Sequence, residues 1–258
     1  MRHLFCWLAC LCFMAMPTMA DKYFTIGDYR YFETDSIQKN VSVFSNSIDL
    51  EEIVIPEKVE YEGIEYNVTS IYPQAYMDHT EIKSVVIPSS VKSINYQAFH
   101  GCTNLTSVTI PKTVNFIGPI AFRGCSLLTS FDIPDSLKII YEYTFKDCIR
   151  LVDASIPKSV TEIKSYAFHN CKLSSVTIPD SVTRIETSAF NGCQLSSVVV
   201  PKTVTYIGDG AFYGTDTLYY EGTSTGSPWG AKLRWTYDDG DFAYADKEKE
   251  YLFKYMNS

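Results

Sequence analysis

An Ile-Pro or Val-Pro dipeptide recurs along the chain. Its proline falls at Pro88, Pro111, Pro134, Pro157, Pro179 and Pro201, at intervals of 23, 23, 23, 22 and 22 residues. An aromatic ring follows each one, at Phe99, Phe122, Phe145, Phe168, Phe190 and Phe212, and Cys102, Cys125, Cys148, Cys171 and Cys193 keep the same beat. A fixed period of this size is the mark of stacked supersecondary units: one unit is too small to bury its own apolar face, and stacking makes one continuous core. Pro56 and Tyr76 belong to an earlier copy, 32 residues ahead of Pro88. Its surplus fits Val59 to Val68, where Tyr61-Glu62-Gly63-Ile64 reads as a small hairpin.

One unit reads Leu105-x-x-Val108-x-Ile110-Pro111-x-x-Val114-x-x-Ile117-x-x-x-Ala121-Phe122-x-x-Cys125. The alternation at Val108 and Ile110 suits a short strand with one face inward. Proline ends that strand because it has no N–H to give to a ladder. Val114 and Ile117 point inward from a second extended stretch, and Ala121-Phe122 forms a tight turn that drives a ring into the core. Late copies lose one residue between Cys and Leu: Cys102-Thr103-Asn104-Leu105 becomes Cys171-Lys172-Leu173. A loop absorbs such a deletion while the rest keeps its geometry. Coils about 4.8 Å apart, one for each ring from Tyr76 to Phe212, give a stack of roughly 35 Å.

The unit, and Ile178-Pro179-Asp180-Ser181-Val182-Thr183-Arg184-Ile185 most closely, resembles the leucine-rich repeat of BspA-like surface proteins of bacteria. The resemblance runs from about Ile53 to Thr223. It implies a β-dominated, right-handed leucine-rich solenoid, with a parallel sheet on one face, short strands and turns on the other, and β-rich caps. It also implies a surface location and adhesive binding to proteins or host components. It supplies no catalytic residue that maps onto this chain.

Residues 1–20 read as a cleavable export signal. Arg2 and His3 precede an apolar run from Leu4 to Met16, Pro17 breaks it, and Thr18-Met19-Ala20 offers small residues for cleavage near Ala20. Acylation at Cys10 or Cys12 would need a lipobox, and no clean one is present. No later stretch has the length and apolarity of a transmembrane helix. Residues 21–52 read as an N-terminal β cap, 53–223 as about seven repeats, and 224–258 as a C-terminal cap. In that last stretch the alternating Phe242 and Tyr244, then Tyr251, Phe253 and Tyr255, suggest a hairpin that either lids the last coil or offers an edge to a partner.

With 46% hydrophobic and 20% charged residues the chain is not disordered, and a net charge of −8 with pI about 5.0 argues against nucleic acid as a partner. The five repeat cysteines occupy one column, where a small buried thiol fills each coil; the exported setting leaves a disulfide as the alternative. His79 shares the column of Cys102, but two ligands are too few for a tetrahedral zinc site. His100 and His169 follow Phe99 and Phe168 and read as surface residues. No cofactor is expected. Asn40, Asn67 and Asn104 head glycosylation sequons that would be silent in a bacterium.

Two outward columns follow from the strand register: Ser84, Ser107, Ser130, Asp153, Ser175, Ser197, and Val86, Thr109, Asp132, Ser155, Thr177, Val199. Asp132 and Asp153 fall on adjacent strands, but glycoside hydrolysis needs an enclosing cleft that a shallow hydroxyl-rich sheet does not supply. The expected activity is therefore non-catalytic binding of a protein or matrix component through Ser107, Ser130, Asp132, Asp153, Ser155, Ser175 and Thr177. Envelope glycan binding through Trp229, Trp235 and Tyr237, or a passive structural role, are the alternatives.

Overall fold

The computed structural model describes residues 22–45, 49–220, 233–238 and 241–244. The proposed export signal, Trp229 and the Tyr251 to Tyr255 stretch lie outside the described residues. Three antiparallel strands, Tyr23–Ile26, Tyr29–Asp35 and Asn40–Ser45, form a meander, and its last strand pairs in parallel with Ile64–Ile71. Lys58–Tyr61 folds back on Ile64–Ile71 through Glu62 and Gly63, at φ 50° and 74°, so the inserted hairpin read from the sequence is present. From there the chain winds as a β-solenoid of about eight turns.

Each coil contributes to two faces. On the Leu-x-x-Val face, Glu52–Val54, Ser84–Val86 and Ser107–Thr109 pair in parallel. Ser197–Val200, Thr217–Tyr220 and Leu233–Asp238 do the same further on, and Asp241–Tyr244 closes that sheet antiparallel. Phe242 therefore pairs with Tyr237 and Tyr244 with Trp235, in a hairpin made with the preceding strand. The opposite face carries one parallel run of Ile64–Ile71, Ser93–Ile94 and Phe116–Ile117 and a second of Ile139–Ile140, Glu162–Ile163, Arg184–Ile185 and Tyr206–Ile207.

The core is a column of rings. Tyr76, Phe99, Phe122, Phe145, Phe168, Phe190 and Phe212 stack with centroids 5.1, 5.3, 5.9, 5.3, 5.3 and 5.4 Å apart and planes within 12° of parallel. Two left-handed backbone positions bracket each ring and make the turn that carries it inward. One is held by Gln74, Gln97, Ile120, Tyr143, Tyr166, Ser188 and Gly210; the other by Asp78, Gly101, Gly124, Asp147, Asn170, Gly192 and Gly214. Glycine, asparagine and aspartate suit the second column, because they tolerate positive φ. At Ile120 (φ 63°) the fold imposes that conformation on a β-branched residue.

The sheet on the Leu-x-x-Val face is less continuous than its periodicity suggests. Between Thr109 and Ser197 the only pairing is the single bridge of Ser130 with Asp153. Phe131 is one local cause. It stands where neighbouring coils have Val108 and Ala154, and its ring wedges edge-on against Phe122 and Phe145, at 4.8 and 4.7 Å.

Phe145 is 2% exposed, with a ring of the stack on either side of it. Phe145→Ala should cost about 3–5 kcal/mol in denaturant unfolding, as expected for removing a buried ring. A loss under about 1 kcal/mol would contradict the stacked column as the main source of cohesion.

Candidate functional site

Ser107, Ser130, Asp132, Asp153, Ser155, Ser175 and Thr177 are all exposed, and all project from the Leu-x-x-Val face. Alternation places them there: Phe131, Ala154 and Val198 between the outward residues are buried. Ser130 is the residue in register with Asp153, so Asp132 and Asp153 are offset by two residues along neighbouring coils. Two shallow depressions open on this face. One, of about 330 Å³, is lined by Ile110, Lys112, Asp132, Ile133, Asp135 and Ser155 with two prolines. The other, of about 380 Å³, lies against Thr177, Asp180, Ser197 and Val199. Both combine an apolar floor with a rim of hydroxyls and carboxylates, joined at the first by Lys112. Trp235 is in register with Tyr219 on one side and Tyr244 on the other, and Tyr237 with Phe242.

The opposite face carries groups that the sequence reading passed over. Phe116 and Tyr141 meet edge to face at 5.4 Å, and Arg184 lies 4.2 Å above the Tyr206 ring. Lys164 bridges Glu162 (2.7 Å) and Glu186 (3.0 Å). Hydrogen bonds that it donates to both carboxylates hold the Lys164 ammonium above its usual range. At Glu186 burial pushes the carboxyl up, but hydrogen bonds from Lys164 and Ser165 outweigh it and the net shift is downward. At the turn edge Tyr143 and Tyr166 stack at 5.1 Å, with Lys146 5.6 and 5.5 Å from the two rings. Tyr143 and Tyr166, 23 residues apart, and Arg184 and Tyr206, 22 apart, each share one column of the repeat, so these two pairs were legible as spacings.

The five repeat cysteines are free and buried. Each thiol donates to the carbonyl of a ring residue: Cys102 to Tyr76, Cys125 to Phe99, Cys148 to Phe122, Cys171 to Phe145 and Cys193 to Phe168, at 3.1–3.3 Å. The free-thiol reading of the column is therefore the one the structure bears out. Burial pushes the Cys102 and Cys193 thiols up to about 12, and the other three upward as well. His79 and His169 are pulled below the usual histidine range by burial, and His79 meets the Tyr76 ring edge-on. Among the described residues no group of three or more His, Cys, Asp or Glu is placed to hold a metal ion.

Two consequences are measurable. At pH 8 the repeat cysteines should resist alkylation in the folded chain, by peptide-resolved mass spectrometry, and react fully in denaturant. Fast labelling of Cys125 or Cys148 would contradict their burial. The Glu186 carboxyl has a lowered folded pKa, so its contribution is present above the unfolded carboxylate range and is lost as pH falls through the folded value. Glu186→Gln should lower Tm at pH 7 and leave it nearly unchanged at pH 3.

The comparisons agree with this geometry. The family model described as "BspA type Leucine rich repeat region" matches six copies, over residues 69–195 and 184–220. A leucine-rich cell surface protein from Faecalibacterium prausnitzii is 30% identical, with a TM-score of 0.71 over 88% of this chain. The chain spans 59% of that relative's length. The leucine-rich repeat protein of T. pallidum is 28% identical, with a TM-score of 0.65, over 75% of this chain and 89% of its own. No curated protein matches the chain. Among the described residues no helix is long and apolar enough to cross a membrane. From its 22–23-residue period to its stacked rings, this chain belongs to the BspA-type leucine-rich repeat family.

Proposed function

We propose that the protein is a surface-associated, non-catalytic binding module that holds a protein or matrix partner against its Leu-x-x-Val face. The observation that carries this reading is the exposure of Ser107, Ser130, Asp132, Asp153, Ser155, Ser175 and Thr177 on one solenoid face over a packed core. A rigid, periodic backbone presents these hydroxyls and carboxylates without the ordering cost a loop-borne site would incur. The cell surface relative and the export signal read from the sequence support delivery to the cell exterior, with cleavage near Ala20. A net charge of −8 favours partners with a basic contact surface.

A second reading, glycan binding, is favoured by the register of Tyr219, Trp235 and Tyr244 across three neighbouring strands at the C-terminal end. Aromatic side chains on adjacent strands are the usual platform for sugar rings.

The test is a pull-down of serum and matrix proteins with the exported chain, followed by titration of the captured partner. The double variant Asp132→Lys/Asp153→Lys should weaken that complex about tenfold or more without lowering Tm. Unchanged affinity would remove the Leu-x-x-Val face as the contact surface. Loss of glycan-array binding in Trp235→Ala, with no protein captured, would favour the second reading.

A further inference from the structure

The coils are not joined equally. Across the junction between the coil of Phe99 and that of Phe122, backbone bonds run the whole way round. Thr106 and Ser107 N–H donate to the Lys83 carbonyl, Ile87 to Thr109, Asn115 to Lys92, Gly118 to Ile94, and Phe99 to Ala121. The junction between the coils of Phe145 and Phe168 is similar, with Val152 donating to Thr129, Thr161 to Lys138, Lys164 to Ile140 and Phe145 to Ala167. Between the coils of Phe122 and Phe145 the matching bonds from Thr129, Lys138 and Tyr141 are absent. The backbone bonds left are those of the turn: Ile120 to Glu142, Phe122 to Thr144 and Gly124 to Lys146.

Other features converge on the same junction. The ring stack is widest there, at 5.9 Å. The ladder of the second face stops at Phe116–Ile117 and restarts at Ile139–Ile140. A void of about 10 Å³ lies between Ile117, Ile133, Leu137, Ile140, Thr144 and Phe145. It is apolar and barely the size of a water, so its walls lose packing contacts without gaining a hydrogen-bonded guest. Thr144 occupies the position that the other Phe-containing coils give to alanine.

The Phe131 wedge gives a cause. On its far side Ala154 leaves room for the ring; on its near side Val108 does not. Excess volume in a packed core is relieved by backbone shifts. Here the backbone ladder between the two coils is missing on both faces, and they are joined by the turn at the ring column, by the Ser136 hydroxyl donating to the Lys112 and Val114 carbonyls, and by the Phe116–Tyr141 edge contact.

We infer that this junction is a hinge, and that the solenoid is two cooperative blocks, one ending near Gly124 and the other beginning near Phe131. In a linear repeat array, stability is the sum of unit terms and nearest-neighbour interfaces, so the weakest interface is where the array divides. The seam crosses the proposed contact face: Ser107 lies on one side, and Ser130, Asp132 and Asp153 on the other. Opening or closing it changes the curvature that a partner spanning both blocks would meet. The hinge itself depends on no ligand.

Native-state hydrogen exchange on the whole chain tests it. Peptides spanning 129–141 should exchange about tenfold faster than their equivalents at 106–118 and 152–164. In rising denaturant the two blocks should gain exchange with separate dependences that divide between 124 and 131. Phe131→Val restores the residue that this column carries at Val108 and, two coils further on, at Val176. It should bring the seam to within about twofold of its neighbours and merge the two dependences. Phe131→Leu, a smaller change in volume, should move both readouts part of the way. Uniform protection along the coils, a boundary elsewhere, or a boundary unmoved by both substitutions would overturn the inference.

Discussion

The spacing between coils is the constraint on which everything else depends. A parallel ladder sets neighbouring strands about 4.8 Å apart, and flat rings stack comfortably at a little more. One aromatic per coil, repeated at the same place, satisfies both demands, and here the centroids lie between 5.1 and 5.9 Å. Because the two spacings nearly coincide, rings, thiols and branched aliphatics each form a column, and each column sees itself above and below. The cysteines show the result most simply: a small group fills the gap beside each ring, and its S–H satisfies a carbonyl at the tight turn.

The same constraint shapes what the Leu-x-x-Val face can present. Inward positions are taken by column residues that pack against their own copies. Outward positions lie on a surface without deep walls, so polar groups there stay in contact with water. Carboxylates such as Asp132 and Asp153 are presented rather than enclosed. What such a surface offers is area, rigidity and periodicity, the properties on which the proposed binding role rests. Local departures from the repeat then acquire weight. Phe131 in a column of Val and Ala is a change of one side chain, yet it meets the rings of two neighbouring coils at once, because neighbouring coils share every column.

Much of this was legible in the chain itself. Period, register and the inward or outward sense of each position follow from the recurrence of Pro, Phe and Cys, and the inserted hairpin follows from Glu62-Gly63. The burial of the thiols followed from their sharing one column, but their unpaired state did not, because an exported setting also allows a disulfide; the structure decides it. The hairpin partner of Phe242 and Tyr244 was not legible, because alternation marks a strand without saying which strand it joins; the Leu233–Asp238 strand takes that place. The clusters around Tyr143, Lys146 and Tyr166, and around Lys164, lie in columns of the repeat, but which side chains meet between coils depends on packing that no single repeat contains.

The sequence by itself determined the repeat, the composition of every column and therefore the class of fold, since a 22–23-residue unit with one apolar stripe can be buried only against its own neighbours. Only the tertiary structure decided where the ladder holds and where it opens. That outcome depends on how the volumes of Val108, Phe131 and Ala154 add across three coils, and no single repeat contains that sum.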